Sequence, residues 1–244
     1  MVLKPKKKIR EKSKKRKKLS SPESLPLSKP DTKRLSILNE KIEECNKCPN
    51  IRKNGIAVPS WSSETKYGII LEAPGKDEIE IGKLRHFPPD PITEGRVGTP
   101  LVGRAGKLMW IEIEKITGLH REDFLVINST QCRPVRSDGR NGKPSFKEIE
   151  NCKFWIEKYI KYSGIRKLLV CGNLAYHTFT GISSGITNRC GGVDTIGFKG
   201  MALDIFPCVH PASVLYSEDN RKLLQQSLEV FRMGTVLDLA FNQV

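Results

Sequence analysis

Nowhere in the 244 residues does an apolar run reach the ~18 needed to span a bilayer, and the N-terminus lacks the apolar stretch of a secretory signal. Seven cysteines, an odd number in a chain with no export signal, argue against a disulfide framework and for reduced thiols that bind metal. Histidine is scarce, with four in the chain, and no internal repeat is present. These absences set aside a membrane protein, a disulfide-stapled secreted domain and a repeat array. A soluble intracellular protein without a membrane partner is expected.

What is abundant is positive charge, and it is unevenly placed. Of the formal net charge of +15, residues 1–34 supply +11, from fourteen Lys or Arg against three acids, and the other 210 residues only +4. The run Lys-Pro-Lys-Lys-Lys-Ile-Arg-Glu-Lys-Ser-Lys-Lys-Arg-Lys-Lys has too little apolar content to offset its ordering entropy, so residues 1–34 are expected to be a disordered tail and linker. An anionic polymer is its natural partner, because neutralising phosphates releases counterions. A solubilising tail or a nuclear-import address are the alternatives for a Lys/Arg run. A Ser/Pro-rich linker over Ser20–Asp31 leads to a folded domain expected at 35–236, with 237–244 as a C-terminal tail.

Within that domain, apolar runs alternate with amphipathic patterns. Tyr67–Leu71, Phe124–Ile127, Lys167–Cys171 and Leu203–Val209 read as strands; Ser36–Glu44, Ala105–Thr117, Phe146–Tyr162, Leu174–Thr180 and Asp219–Phe231 read as helices. Strand–helix alternation predicts an α/β three-layer sandwich, with a central, mostly parallel four-stranded sheet flanked by helices. Ligands in such folds bind beyond the carboxyl ends of the strands. Polar motifs sit at those ends: Glu72-Ala73-Pro74-Gly75-Lys76-Asp77-Glu78 after the first strand, Asn128-Ser129-Thr130-Gln131-Cys132-Arg133-Pro134 after the second and His210-Pro211-Ala212-Ser213 after the fourth.

Cys45 and Cys48 form a Cys-x2-Cys hook, while nineteen residues separate Cys132 from Cys152. Zinc ribbons supply two tight hooks, whereas an iron–sulfur cluster accepts thiolates from scattered elements. The wide second pair favours the cluster, with a zinc hook or unrelated thiols as the alternative. Cys171 and Cys208 each end an apolar run and read as buried small hydrophobes.

In order, the motifs are Cys-x2-Cys, Glu72-Ala73-Pro74-Gly75, Gly98-Thr99-Pro100-Leu101-Val102-Gly103-Arg104-Ala105-Gly106, Asn128-x3-Cys132-Arg133-Pro134, Cys152 and His210-Pro211-Ala212. From about Leu38 to Phe231 this resembles the iron–sulfur (family 4) uracil-DNA glycosylases. The resemblance implies a [4Fe-4S] cluster on Cys45, Cys48, Cys132 and Cys152, and uracil-containing DNA, single- or double-stranded, as substrate. It implies Glu72 as the catalytic carboxylate and His210 as the group on the base carbonyl. It places Asn128 on the base edge, with Ala73, Pro74, Gly75 and Leu101 as further pocket residues and Gly103, Arg104, Ala105 and Ser213 towards DNA.

The chemistry suits those types. Hydrolysing an N-glycosidic bond builds positive charge on the sugar, which a carboxylate stabilises while orienting water, and negative charge on the base, which a histidine donor stabilises. A side-chain amide offers a donor and an acceptor side by side, matching uracil and opposing cytosine. The plainer roles are a helix cap for Glu72, a self-bonded turn for Asn128 and a loop brace for His210. His86, His120 and His177 default to surface or packing roles.

The chain departs from the family at Leu101, where the usual Phe stacks on the extruded base, and at Leu71, where the family has Gly. Residues 79–97 form an added Pro-rich loop carrying Arg85, His86 and Phe87, and Arg136–Lys143 a basic one. That basic loop lacks the histidine of base-crosslinking relatives, so simple hydrolysis is expected, by a monofunctional and monomeric enzyme. A non-catalytic nucleic-acid-binding protein and a glycosylase for a modified pyrimidine are the competing functions, both raised by Leu101.

Overall fold

The structure, a computed structural model, describes residues 29–80 and 98–241, with side chains through Thr235. The expected basic tail over 1–28 and Arg85, His86 and Phe87 lie outside the described residues. Short apolar runs, buried on both faces, form the parallel strands β1 (Tyr67–Leu71), β2 (Phe124–Asn128) and β3 (Lys167–Cys171). A hairpin follows: β4 (Asp194–Phe198) lies antiparallel to β5 (Met201–Cys208), and β5 pairs in parallel with β3. The sheet thus has five strands in the order β2-β1-β3-β5-β4, not the four expected.

The missed strand is short and lies at the edge. Its burial alternates, so it never shows the continuous apolar run of the buried strands, and Gly197 interrupts it. The connection to β5 is the two-residue turn Lys199–Gly200 with φ of 49° and 81°, a left-handed geometry that Lys-Gly signals less clearly than Asn-Gly.

Helices cover both faces. On one side α1 (Thr32–Glu44), α5 (Phe146–Ser163) and α6 (Asn173–Thr180) pack on Ile70, Leu125, Ile127, Leu168 and Val170. On the other, α4 (Arg104–Thr117), α7 (Pro211–Val214) and α8 (Glu218–Phe241) pack on Tyr67, Ile69, Leu71, Val126 and Leu169. Alternate residues of β1 therefore serve opposite layers. The short helices α2 (Pro49–Arg52) and α3 (Lys76–Glu80) lie in the loops before and after β1.

Two expected limits move. Asp31 accepts from the Arg34 amide and starts α1 at Thr32, ahead of residue 35, and α8 runs through the boundary set at 236. Cys171 and Cys208 are fully buried cross-strand neighbours, as expected of small apolar side chains. No helix among the described residues is long and apolar enough to cross a membrane.

One ionic contact joins α4 to α8. Glu112, only 1% exposed, accepts from Arg221 at 2.6 and 2.9 Å and from Gln225 at 3.0 Å. Burial would push the Glu112 carboxyl up, but the Gln225 and Arg221 hydrogen bonds outweigh it and hold the group below its ordinary 4.5. Such a carboxyl adds stability above pH 4.5 that is lost as pH falls through the lower folded value. Replacing Arg221 by Met should cost about 1–3 kcal/mol at neutral pH, below the roughly 3–5 kcal/mol of a fully buried pair because Arg221 is half exposed. Urea denaturation checks this, and the difference from the native protein should shrink below pH 4.5.

Candidate active site

At the carboxyl edge of the sheet the strand-end segments enclose a cavity of about 480 Å³. Glu72, Ala73, Pro74 and Gly75 line it from the end of β1, Asn128 from the end of β2 and His210 from the end of β5. Leu101, Gly103, Arg104 and Ala105 close it from the segment entering α4. Ser213 does not line it; its hydroxyl donates to the His210 carbonyl at 2.7 Å and shapes the turn.

Asn128 is completely buried, yet neither Oδ1 nor Nδ2 finds a hydrogen-bond partner among the described residues. The plainer reading, an amide bonded to its own turn, fails: in that turn Gln131 Nε2 donates to the Asn128 carbonyl instead. The backbone beyond is fixed, since the Ser129 amide donates to Leu71 O at 2.7 Å and the Thr130 amide to Glu72 O at 3.2 Å. A buried amide without partners costs about 1–3 kcal/mol, a deficit that a ligand with a complementary edge removes.

Glu72 reaches across the sheet to α6, where Oε1 accepts from the Leu174 amide at 3.2 Å. It does serve as a helix-end acceptor, but with one oxygen; Oε2 has no hydrogen bond among the described residues. Gly172 makes room for this reach. It has φ +98°, and a Cβ there would stand 2.4 Å from Glu72 Oε1.

His210 caps the short α7, with Nδ1 accepting from the Ala212 amide at 3.2 Å. That bond leaves the proton of the neutral ring on Nε2. Burial pushes the imidazole below its ordinary 6.5; the Glu72 charge pulls it back up and the Lys143 charge pushes it further down. The histidine braces its loop with one nitrogen and keeps a donor on the other.

Leu101 adopts φ +61°, a strained conformation for a residue with a side chain, and its side chain packs at 4% exposure among Leu71, Met109 and Val214. Neighbours fix this backbone. The amide donates to Glu78 Oε1, Trp110 Nε1 donates to the carbonyl at 3.2 Å, and Arg121 donates to the Pro100 carbonyl at 3.0 Å. The first turn of α4 presses on the same carbonyl, for a Cβ on Gly106 would come within 2.2 Å of it.

Sequence reasoning held Glu78 within the first strand-end motif but gave it no role, set the basic loop ending at Lys143 by the cysteines and not at the cavity that Asn141–Pro144 lines, and missed Gly172. Glu78 lies in a charged run that reads as surface. Gly172, directly after a strand and before a helix, reads as a turn glycine, and its neighbours in sequence do not show the carboxylate that lands on it. His177 lies against Phe146 with centroids 4.3 Å apart and rings tilted by 36°, and His120 is exposed beside Glu114, both outside the cavity.

The four cysteines Cys45, Cys48, Cys132 and Cys152 are free; Cys132 and Cys152 belong to the core on the α1 and α5 side of the sheet, and Cys45 and Cys48 pack against it. Burial, together with the neighbouring thiols, pushes Cys132 up to about 11 and Cys152 up to about 12, with Arg52 pulling Cys132 back down. Asn151 Nδ2 donates to Cys48 Sγ at 3.3 Å. Among the described residues no group of three or more His, Cys, Asp or Glu is gathered as a site for a metal ion.

Glu78 generates a prediction. Burial raises its carboxyl from 4.5 to about 7, against the Gly75 and Leu101 amides and Arg121, which lower it. A carboxyl raised in the folded state gives stability that is present below pH 4.5 and is lost as pH rises towards 7. Glu78→Gln should remove that slope from a plot of unfolding free energy against pH. It should also set an NH2 against one of the two amides, at a cost of about 1–3 kcal/mol.

Comparison with known proteins agrees with this geometry. The Type-4 uracil-DNA glycosylase of Saccharolobus solfataricus is 29% identical over 202 residues, covering 79% of this chain and 82% of that protein. Its namesake in Sulfurisphaera tokodaii is 27% identical over 81% of this chain and 83% of its own length, and that of Thermotoga maritima 25% over 80% and 91%. The model of the uracil DNA glycosylase superfamily matches residues 62–232, which span the sheet and every wall of the cavity. The chain belongs to the uracil DNA glycosylase superfamily.

Proposed function

We propose that the protein is a monofunctional uracil-DNA glycosylase, acting inside the cell as a monomer, that flips uracil out of DNA and hydrolyses its N-glycosidic bond to leave an abasic site. The observation that carries this reading is the buried amide of Asn128, without a partner among the described residues, in the lining of a cavity of about 480 Å³. Its Nδ2 donates to the uracil O4 and its Oδ1 accepts from N3–H, whereas cytosine would oppose donor to donor and acceptor to acceptor.

Glu72 and His210 divide the charge that develops as the bond breaks. The electron pair of the C1′–N1 bond leaves with the base, and the His210 Nε2–H donates to its carbonyl oxygen. The Glu72 carboxylate stands by the cationic sugar and orients the water whose oxygen bonds to C1′; the water's proton passes to the carboxylate or solvent. Arg104, exposed at the cavity mouth, offers a cation to phosphate, with Gly103 and Ala105 allowing close approach. Leu101, packed into the core, serves as an apolar wall of the pocket and not as a free stacking surface.

The donor set Cys45, Cys48, Cys132 and Cys152 fits a [4Fe-4S] cluster. The thiols are free, close enough to influence one another's ionisation, and supplied with an N–H···S contact. The cluster would supply architecture, because the hydrolysis transfers no electrons.

Anaerobically purified protein should release uracil from a labelled single-stranded oligonucleotide, read as alkali-sensitive breaks. Glu72→Ala should slow release at least about 100-fold. Asn128→Leu should abolish release of uracil without lowering the melting temperature, because it removes an amide that has no partner among the described residues. Iron-loaded protein that binds DNA and releases nothing would reassign the chain to non-catalytic binding.

A further inference from the structure

Lys143 is a cavity residue that the proposed chemistry does not use. It ends the basic loop between Cys132 and Cys152, and it lines the cavity that also holds Glu72 and His210. The loop is anchored at this point. Asn141 Oδ1 accepts from the Lys76 amide at 3.1 Å and from Arg133 Nε at 2.9 Å, and the Gly142 amide donates to Pro134 O at 2.8 Å. Pro144 follows, buried, and Ser145 caps α5. Lys143 is therefore tethered on both sides while its side chain is exposed at the mouth.

We propose that Lys143 is an electrostatic positioning residue of the pocket: tethered in the lining of the cavity that holds Glu72 and His210, it adds positive potential where the departing uracil gathers charge. The inference rests on the uracil-releasing function proposed above. Among the described residues, the charges that act on His210 are the Glu72 carboxylate and the Lys143 ammonium. Acting alone, the carboxylate would favour imidazolium. A proton on Nδ1 would point at the Ala212 amide, remove the bond at 3.2 Å that shapes the turn, and shift the donor away from the base. Lys143 opposes that protonation. In the free protein water screens its charge, but DNA over the mouth excludes water, and the same ammonium then acts through a lower dielectric on the base anion.

The test uses the full chain with Lys143→Met and Lys143→Arg. The His210 ring, assigned by its loss in His210→Asn, is titrated by NMR without DNA. Its midpoint should move to higher pH in the Met variant and return in the Arg variant. Single-turnover uracil release at saturating oligonucleotide should slow about three- to tenfold in the Met variant, a share of the effect of a full oxyanion donor, and be largely restored by Arg. The acid limb of its pH profile should shift upward with the NMR midpoint. An unmoved midpoint overturns the proposal. So does a loss found entirely in weaker binding to uracil-free DNA, which would make Lys143 a phosphate contact. A moved midpoint in a protein that releases no uracil would support the coupling to His210 and reject the enzymatic function instead.

Discussion

The Glu78 carboxylate accepts from the amides of Gly75 and Leu101, and through those two bonds the segment leaving β1 and the segment entering α4 become one wall. Each segment alone is a loop with little to hold it. Joined, they fix Leu101 at φ +61°, a conformation that costs of order 1–3 kcal/mol and persists because the surroundings determine it on every side. Trp110 and Arg121 take the adjacent carbonyls, and the Arg121 guanidinium lies 5.1 Å from the Trp110 ring centroid. The Glu78 backbone contributes too, its carbonyl accepting from the Thr99 amide at 3.1 Å and leaving no space for a Cβ on Gly98. Glu78 is thus the hinge-pin on which the shape of the cavity depends, although it does not itself touch the base in the proposed chemistry.

Against this rigid wall the site keeps its polar groups under-satisfied. Among the described residues Asn128 has no partner, Glu72 uses one oxygen of two, and His210 uses one nitrogen of two. A core designed for stability alone would fill those valences. Here each spare atom faces a place where the proposed reaction develops a partner: a base edge, a cationic sugar with its water, a carbonyl gathering charge. Preorganised groups of this kind need little reorganisation when charge develops, and that is their advantage over water.

Much of this was legible in the sequence, for identifiable reasons. Four buried strands announce themselves as continuous apolar runs, and α5 by a Ser145–Glu148 capping box with Gly164 at its end. Polar residues at the ends of β1, β2 and β5 mark the cavity because the fold sends ligands there. What was hidden depends on distance along the chain. β4 is half-exposed and borrows its pairing from β5; Glu78 looks like one acid in Lys76-Asp77-Glu78-Ile79-Glu80 until Leu101 arrives from a remote segment. Gly172 matters because a carboxylate from another strand lands on it, and no local pattern predicts that.

The loop between Cys132 and Cys152 shows how the two centres are joined. Its length, which first set this cysteine pair apart from a zinc knuckle, carries Asn141 and Lys143 from the thiol side of the molecule to the cavity mouth. Arg133, one residue beyond Cys132, bonds Asn141, and Asn141 in turn holds the Lys76 amide beside the β1 motif. Cys152 anchors the other end within α5, whose first turn follows Pro144 directly. A cluster on the four cysteines would therefore brace both ends of a loop whose middle forms part of the pocket. It could shape the geometry of excision without exchanging an electron, since moving Cys132 or Cys152 would move the wall that carries Lys143 towards His210.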